Sequence, residues 1–349
     1  MKLNFCTLFN SAYLSRGLVM YHSLQKNCAD FHLYVFAFDD LCYEYLKEQN
    51  FPHLTVVSLH QFEDSELLRV KPSRTAAEYC WTSTASTILY SINTFGLQNC
   101  TYIDADMCFY SDPTVLIDEM GVNSVLITDH RYTAQYDQSV TSGKYCVQFV
   151  TFKNTPDGLT VLNWWRNACI EWCYNRVEDG KFGDQKYLDC WTTQFNGVHE
   201  LKHLGGGVAP WNVQQYTFEK QGDKVFGKEI TSGKMFEVVF FHYHSFKCFE
   251  NDIVLLSDTE YHLNDNVINV FYKDYVKNLM NHYAIVKKQN GKINANGVFS
   301  AARFGPMGIK TILQYYKDNL RSSKRNIFGK KLLSQIKNHS YYLIANFIR

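Results

Sequence analysis

Short apolar runs that end in polar or acidic residues recur along the first 150 residues, and stretches with helical spacing separate them. LNFCTLF (3–9) reads as a first strand. In the NSAYLSRGLVMYHSLQKN that follows, Leu14, Leu18, Tyr21, His22 and Leu24 fall at roughly helical intervals. FHLYVFAF (31–38) is almost continuously apolar up to Asp39 and Asp40, the pattern of a strand covered on both faces. A short helix over 40–48 and a strand LTVVSL (54–59) complete a β-α-β-α-β order, which predicts a parallel sheet with helices on both faces. SRTAAEYCWTSTASTILYSINTFG (73–96) predicts a long helix closed by Gly96.

Further on, TYIDA, SVLIT (124–128) and YCVQFVTF (145–152) read as strands, and a short helix is expected from Pro113. PDGLTVLNWWRNACIEWCYNRV (156–177) and GDQKYLDCWTTQF (183–195) read as successive helices. The stretch around 220–234 looks like a polar, glycine-containing connection, and MFEVVFFHYHSFK like one strand running into two histidines. Beyond about 265 the pattern is helical, aromatic and basic, so residues 1–265 are expected to form one domain and 266–349 an extension.

The 46% hydrophobic content of this 349-residue chain supplies a sizeable core and excludes a disordered chain. Its net charge of +1 hides an asymmetry: from Lys310 to Arg349 there are nine Lys or Arg residues and one acid, Asp318. With apolar residues interleaved, that tail suits peripheral contact with an anionic membrane, or packing on the main domain with its charges solvated. No recognition element for nucleic acid accompanies it, so nucleic acid is not an expected partner. The eleven cysteines show no framework spacing and fit reduced thiols in a cytoplasmic protein; Cys169 and Cys173 read as packed thiols. The N-terminal segment meets Arg16 early and has no long apolar core, so neither a signal peptide nor a membrane span is expected.

Candidate chemistry gathers at strand ends, where open α/β sheets bind their ligands. Asp104 and Asp106 are two apart at the end of TYIDA, so on extended backbone they share a side. Two adjacent carboxylates repel unless a cation lies between them, and Mn²⁺ or Mg²⁺ suits oxygen ligands with room left for phosphate. A solvated strand end is the alternative at this point. His242 and His244 end a second strand, and Lys247 follows.

The order of TLFNSAYLSRGLVMYHSL, YIDADMCFYSDP, GDQKYLD and HYHSFK resembles the nucleotide-sugar glycosyltransferases of the GT-A fold. It is most similar to the retaining, galactosyltransferase-like group (glycosyltransferase family 8-like) of bacterial surface-polysaccharide enzymes. The resemblance covers roughly residues 1–250. It implies an α/β, Rossmann-like fold with a mostly parallel central sheet, here followed by a helical, basic C-terminal extension. It also implies Asp104 and Asp106 as metal ligands, with His242 as the third and His244 in reserve. The family follows its lysine with Pro-Trp, which is absent after Lys247.

By the same resemblance, Asp184 and Gln185 face the donor sugar and the reacting centre, although Gly183-Asp184 also reads as a helix cap. Asn10 and Tyr13 are placed at the base and ribose, with Arg16 beside them as a phosphate candidate. Each also reads structurally, Asn10 as a helix start and Tyr13 as packing. Arg74 is a further diphosphate candidate, or half of an exposed pair with Glu78. Gly205, Gly206 and Gly207 are uncharged and offer only close backbone approach in a cleft, or a plain turn. Asp129 ends its strand as a sugar contact or turn cap, and Asp112 as a turn acid.

The implied partners are a nucleotide-sugar donor, UDP-hexose foremost, and a saccharide or lipid-linked glycan acceptor, as in lipopolysaccharide assembly at the inner face of the plasma membrane. Two other classes stay open. A sugar-phosphate nucleotidyltransferase would want a glycine- and lysine-rich N-terminal loop, which NSAYLSRG is not. A non-catalytic sugar-nucleotide-binding protein would be expected to have lost metal or donor residues.

Overall fold

The computed structural model describes residues 2–250, 252–258, 260–299, 341–344 and 347. In chain order, β1 (Leu3–Phe9), β2 (Phe31–Ala37), β3 (Leu54–Ser58) and β4 (Asn99–Ile103) are followed by β5 (Met107–Phe109), β6 (Val125–Asp129), β7 (Tyr145–Lys153) and β8 (Val198–Glu200). All but β5 join one sheet in the order β3-β2-β1-β4-β7-β6-β8. β1 to β4 run parallel, β7 runs antiparallel between β4 and β6, and β6 and β8 are parallel to each other. This mostly parallel sheet with flanking helices, followed by a helical segment beyond Asn264, is the α/β, Rossmann-like architecture expected from the sequence.

Alternation along the strands sorts the core onto both faces of the sheet. Phe5, Leu33 and Phe149 pack with Leu14, Leu18, Tyr21 and Leu24 of the first helix, Leu14–Asn27. Their neighbours Cys6 and Val150 point the other way, toward Ile88 and Ile92 of helix Ala76–Phe95 and Val161 and Trp165 of helix Pro156–Glu171. Truncating a fully buried residue here, such as Leu14 to Ala, would cost roughly 2–5 kcal/mol. The long helix begins with a capping box between Thr75 and Glu78 and ends at Gly96, whose φ of 64° is left-handed. The eleven cysteines are free, and Cys169 and Cys173 lie buried in the second core.

Several sequence expectations need correction. The stretch taken as a polar connection folds as a hairpin, β9 (Tyr216–Gln221) and β10 (Lys224–Glu229), turning over Gly222 and Asp223. MFEVVFFH is two strands, β11 (Met235–Glu237) on that hairpin and β12 (Phe240–His242) against β5. The break falls where the backbone changes partner: Val238 N–H donates to Val225, and Val239 N–H to Gly205. The expected helix 183–195 is a 3₁₀ turn Lys186–Cys190 followed by the single turn Trp191–Gln194, which leaves Asp184 and Gln185 ahead of it.

Beyond Asn264 the chain is helical, through a π-helical turn Ile268–Tyr272 into helix Lys273–Gln289. β13 (Lys247–Phe249) and β14 (Ile253–Leu255) form a hairpin, to which β15 (Tyr341–Leu343) adds an antiparallel strand where a helical tail was expected. The rest of the basic segment 310–349, apart from Ile344 and Phe347, lies outside the described residues. Among the described residues no helix is long and apolar enough to cross a membrane.

Candidate metal centre

The fully buried β4 ends at Asp104, whose N–H donates to the Gln148 carbonyl of the adjacent β7. The chain then turns through Ala105 and Asp106 into β5. There β12 pairs antiparallel, with His242 opposite Met107, and Tyr243 N–H donates to the Asp106 carbonyl. This register delivers His242 to the two acids. Its Nε2 is 3.1 Å from Asp106 Oδ1 and 3.7 Å from Asp104 Oδ2. Ligand atoms of the three residues lie within 4.8 Å of one another. Side-chain exposure rises from 5% at His242 through 13% at Asp106 to 28% at Asp104, so the group opens on the Asp104 side.

The tautomer of His242 is fixed from behind. Its Nδ1 is 2.8 Å from Oε1 of Gln148, an acceptor, so Nδ1 carries the proton. A neutral His242 then aims its Nε2 lone pair at two carboxylates, which requires a cation in the gap. Without one, the proton itself takes that place: burial works against an imidazolium, but the charge and hydrogen bond of Asp106 hold His242 well above the ordinary range. Asp104 is pushed up to about 6, mainly by burial and with His242 working against it. Asp106 also suffers burial, yet His242 outweighs it and holds the acid at about 2. Two carboxylate oxygens and one imidazole nitrogen, oriented by a second residue, are a donor set that fits a divalent cation.

Other candidate residues distribute around this group. Tyr13 is 40% exposed; burial raises its phenol, the Arg16 charge opposes this, and the charges of Asp106 and Asp104 add to the rise. Arg16 stacks 4.4 Å from the Tyr13 ring but is buried, its guanidinium on backbone carbonyls. Asp184 is buried and lifted to about 7 by desolvation, with a Thr84 hydrogen bond opposing and Asp104 adding to the rise. Gln185 Nε2 donates to the Ser142 carbonyl. Half-buried Lys247 follows a turn with Ser245 at φ 60°, and its charge helps lower His244.

Several candidates have other occupations. Asn10 Oδ1 caps Ala12 N–H. His244 does not join the ligand group; it packs against Trp211, and burial followed by the charge of His242 lowers it to about 4. Arg74 stacks 3.9 Å from Tyr174 and donates to the Ile170 carbonyl, while Glu78 turns back to Thr75 and accepts from Asn175. Gly205–Gly207 are buried, and a Cβ on Gly205 would sit 1.9 Å from the Glu237 carbonyl oxygen. One on Gly207 would meet Thr128 and Gln148, so these glycines let the chain pass close behind the His242 support. Asp129 caps the turn to Arg131, and Asp112 the turn to Thr114.

Sequence reasoning missed Gln148, Thr84 and Trp211, which packs edge-on against both histidines. A lone glutamine in the apolar run YCVQFVTF was the available signal for Gln148.

No protein-family model matches the chain. Over 290 residues it is 31% identical to the uncharacterized protein YfnD of Bacillus subtilis, covering 79% of this chain and 88% of that protein. The chain belongs to the YfnD family. Among solved structures, the YfnD-family chain is similar to the galactosyltransferase LgtC in complex with donor and acceptor sugar analogs, at 12% identity and a TM-score of 0.47. That likeness covers 83% of this chain and 100% of the other. Likeness to the glycosyltransferase GlyE of Streptococcus pneumoniae has 16% identity and a TM-score of 0.38, over 60% of this chain and 47% of that one.

Proposed function

We propose that this protein is a metal-dependent glycosyltransferase that moves a hexose from a nucleotide-diphosphate sugar, UDP-linked foremost, to a saccharide hydroxyl with retention. The observation that carries this reading is the Asp104, Asp106 and His242 group, with the His242 lone pair directed at the acids by Gln148. Residues 1–265 would hold this catalysis. The basic extension, 266–349, would keep the enzyme at the cytoplasmic face of an anionic membrane, where a lipid-linked glycan of surface-polysaccharide assembly is its acceptor.

Asp104, Asp106 and His242 would hold Mn²⁺ or Mg²⁺, which when bound supplies Lewis-acid stabilisation of the diphosphate. His242 keeps its Nδ1 proton on Gln148, which leaves Nε2 to carry either the balancing proton or the metal. Exposed Tyr13 offers a ring for the base, and Lys247 a positive charge for the phosphates. Asp184, raised to about 7 by burial, is part-ionised near neutral pH, and its carboxylate form would stabilise positive character on the sugar as it develops. The acceptor oxygen forms the new bond at the anomeric carbon while the bond to the phosphate oxygen breaks. The hydroxyl proton passes to that departing oxygen on the same face, so no enzyme base is needed.

Incubation with a panel of nucleotide sugars and Mn²⁺ tests the reading. Release of nucleoside diphosphate from one donor is expected. Absence of both turnover and donor binding across the panel would overturn it.

A further inference from the structure

Arg16 is the most completely buried cation described, at 2% exposure, and it faces backbone carbonyls instead of a carboxylate partner. Its Nη1 donates to the Asn296 carbonyl at 3.1 Å and to the Ala12 carbonyl at 3.4 Å, and its Nη2 donates to the Phe246 carbonyl at 3.1 Å. The guanidinium also stacks on Tyr13. Three segments far apart in sequence thus meet on one planar fork: the turn carrying Tyr13, the loop after His242 and the segment after helix Lys273–Gln289.

That last segment is seated by more than Arg16. Ser15 N–H donates to the Ala295 carbonyl at 3.0 Å. Gly297, at φ 56°, lies so close that a Cβ would sit 3.0 Å from the Ala12 carbonyl oxygen. From Phe246 a short path leads to the clamp: Phe246 N–H donates to the Tyr243 carbonyl, and Tyr243 N–H to the Asp106 carbonyl. An arginine's rigid fork can hold two carbonyls at fixed separation, whereas a lysine offers a single point charge.

We propose that Arg16 is a positioning residue, a latch through which the C-terminal segment 293–297 holds the His242–Phe246 loop, and with it the third ligand, in register with Asp106. Arg16 therefore acts on the bound cation through the protein and does not contact phosphate. The metal arm of this inference rests on the clamp reading above; the structural arm does not.

The experiment compares wild type, Arg16→Lys and Gly297→Ala in the full chain, following amide hydrogen exchange without metal and Mn²⁺ binding by the electron paramagnetic resonance signal of free Mn²⁺. Both variants should speed exchange in 293–297 and in 243–247 together. Both should also weaken Mn²⁺ binding roughly 10-fold, the lower end for loss of a ligand's support, with the melting midpoint shifted by only a few degrees. Gly297→Ala leaves the charge of Arg16 in place, so it decides the matter if Arg16→Lys fails to fold. Faster exchange confined to 293–297, or Mn²⁺ binding unchanged within twofold, overturns the latch. If wild type binds no Mn²⁺, the clamp reading falls, and coupled exchange of the two segments alone decides the latch.

Discussion

Two acidic groups lie at neighbouring strand ends of the same sheet, and they are neutralised differently. At the ends of β6 and β8, Glu200 accepts from Lys144 Nζ at 2.6 Å, from Lys202 Nζ and from Tyr145, and Asp129 lies 3.6 Å from Lys144. These acids bring their own cations. Burial disfavours the Glu200 charge, but the lysines and Tyr145 outweigh it and hold the carboxyl at about 2. At the end of β4, Asp104 and Asp106 face one histidine, whose proton is the balancing charge in the absence of metal. Acids with fixed lysines are neutralised within the fold; acids sharing a removable proton leave a place that a cation could take.

The largest break in this comparison should come from Asp106→Asn. It removes a ligand, and we expect at least ~100-fold weaker Mn²⁺ binding with the fold retained, read by calorimetric titration and a thermal melt. Gln148→Leu touches no ligand atom, yet it frees the His242 ring; a 10–100-fold loss is expected. Metal affinity should also rise as pH increases through about 6 and beyond, because binding displaces protons from Asp104, raised to about 6, and from His242, raised well above the ordinary range by Asp106. Proton release measured in two buffers of different ionisation enthalpy checks this.

Effects at the lysine-bound acids should be smaller and of another kind. Glu200→Gln is expected to cost roughly 1–2 kcal/mol of stability while leaving Mn²⁺ affinity unchanged. The pH dependence of stability has a definite sign here. Glu200, depressed when folded, contributes stability above the ordinary carboxylate range, and that contribution is lost as pH falls toward 2. Buried His130, lowered to about 3 mainly by desolvation, behaves likewise: below about pH 6.5 the unfolded chain takes up the proton first. Its contribution should fall by up to ~1.4 kcal/mol per pH unit, visible as a falling melting midpoint in acid.

Much of this is legible in the sequence alone. The apolar runs, of which those of β2 and β4 end in acids, located β1, β2 and β4, because strands covered on both faces leave continuous hydrophobic signatures. Asp104 and Asp106 stood out because they interrupt such a run in tandem. The direction of β7 was not legible, since periodicity carries no sense of parallel or antiparallel. The β9–β10 hairpin was missed although Tyr216, Phe218 and Val225 are buried and Gly222-Asp223 is a two-residue turn signal; exposed lysines and glutamates masked the alternation. His242 could be named only as one of a pair, because its selection over His244 depends on register against β5. Gln148 stands out as a lone polar residue in an apolar run, but its role was not legible, because it lies 94 residues from the histidine it orients.

The most direct test of the central claim is a titration of UDP into wild type and Asp106→Asn, each with and without Mn²⁺. The account predicts saturable binding to wild type that requires Mn²⁺ and is lost in the variant. Equal binding with and without the metal, or equal binding to both proteins, would contradict it.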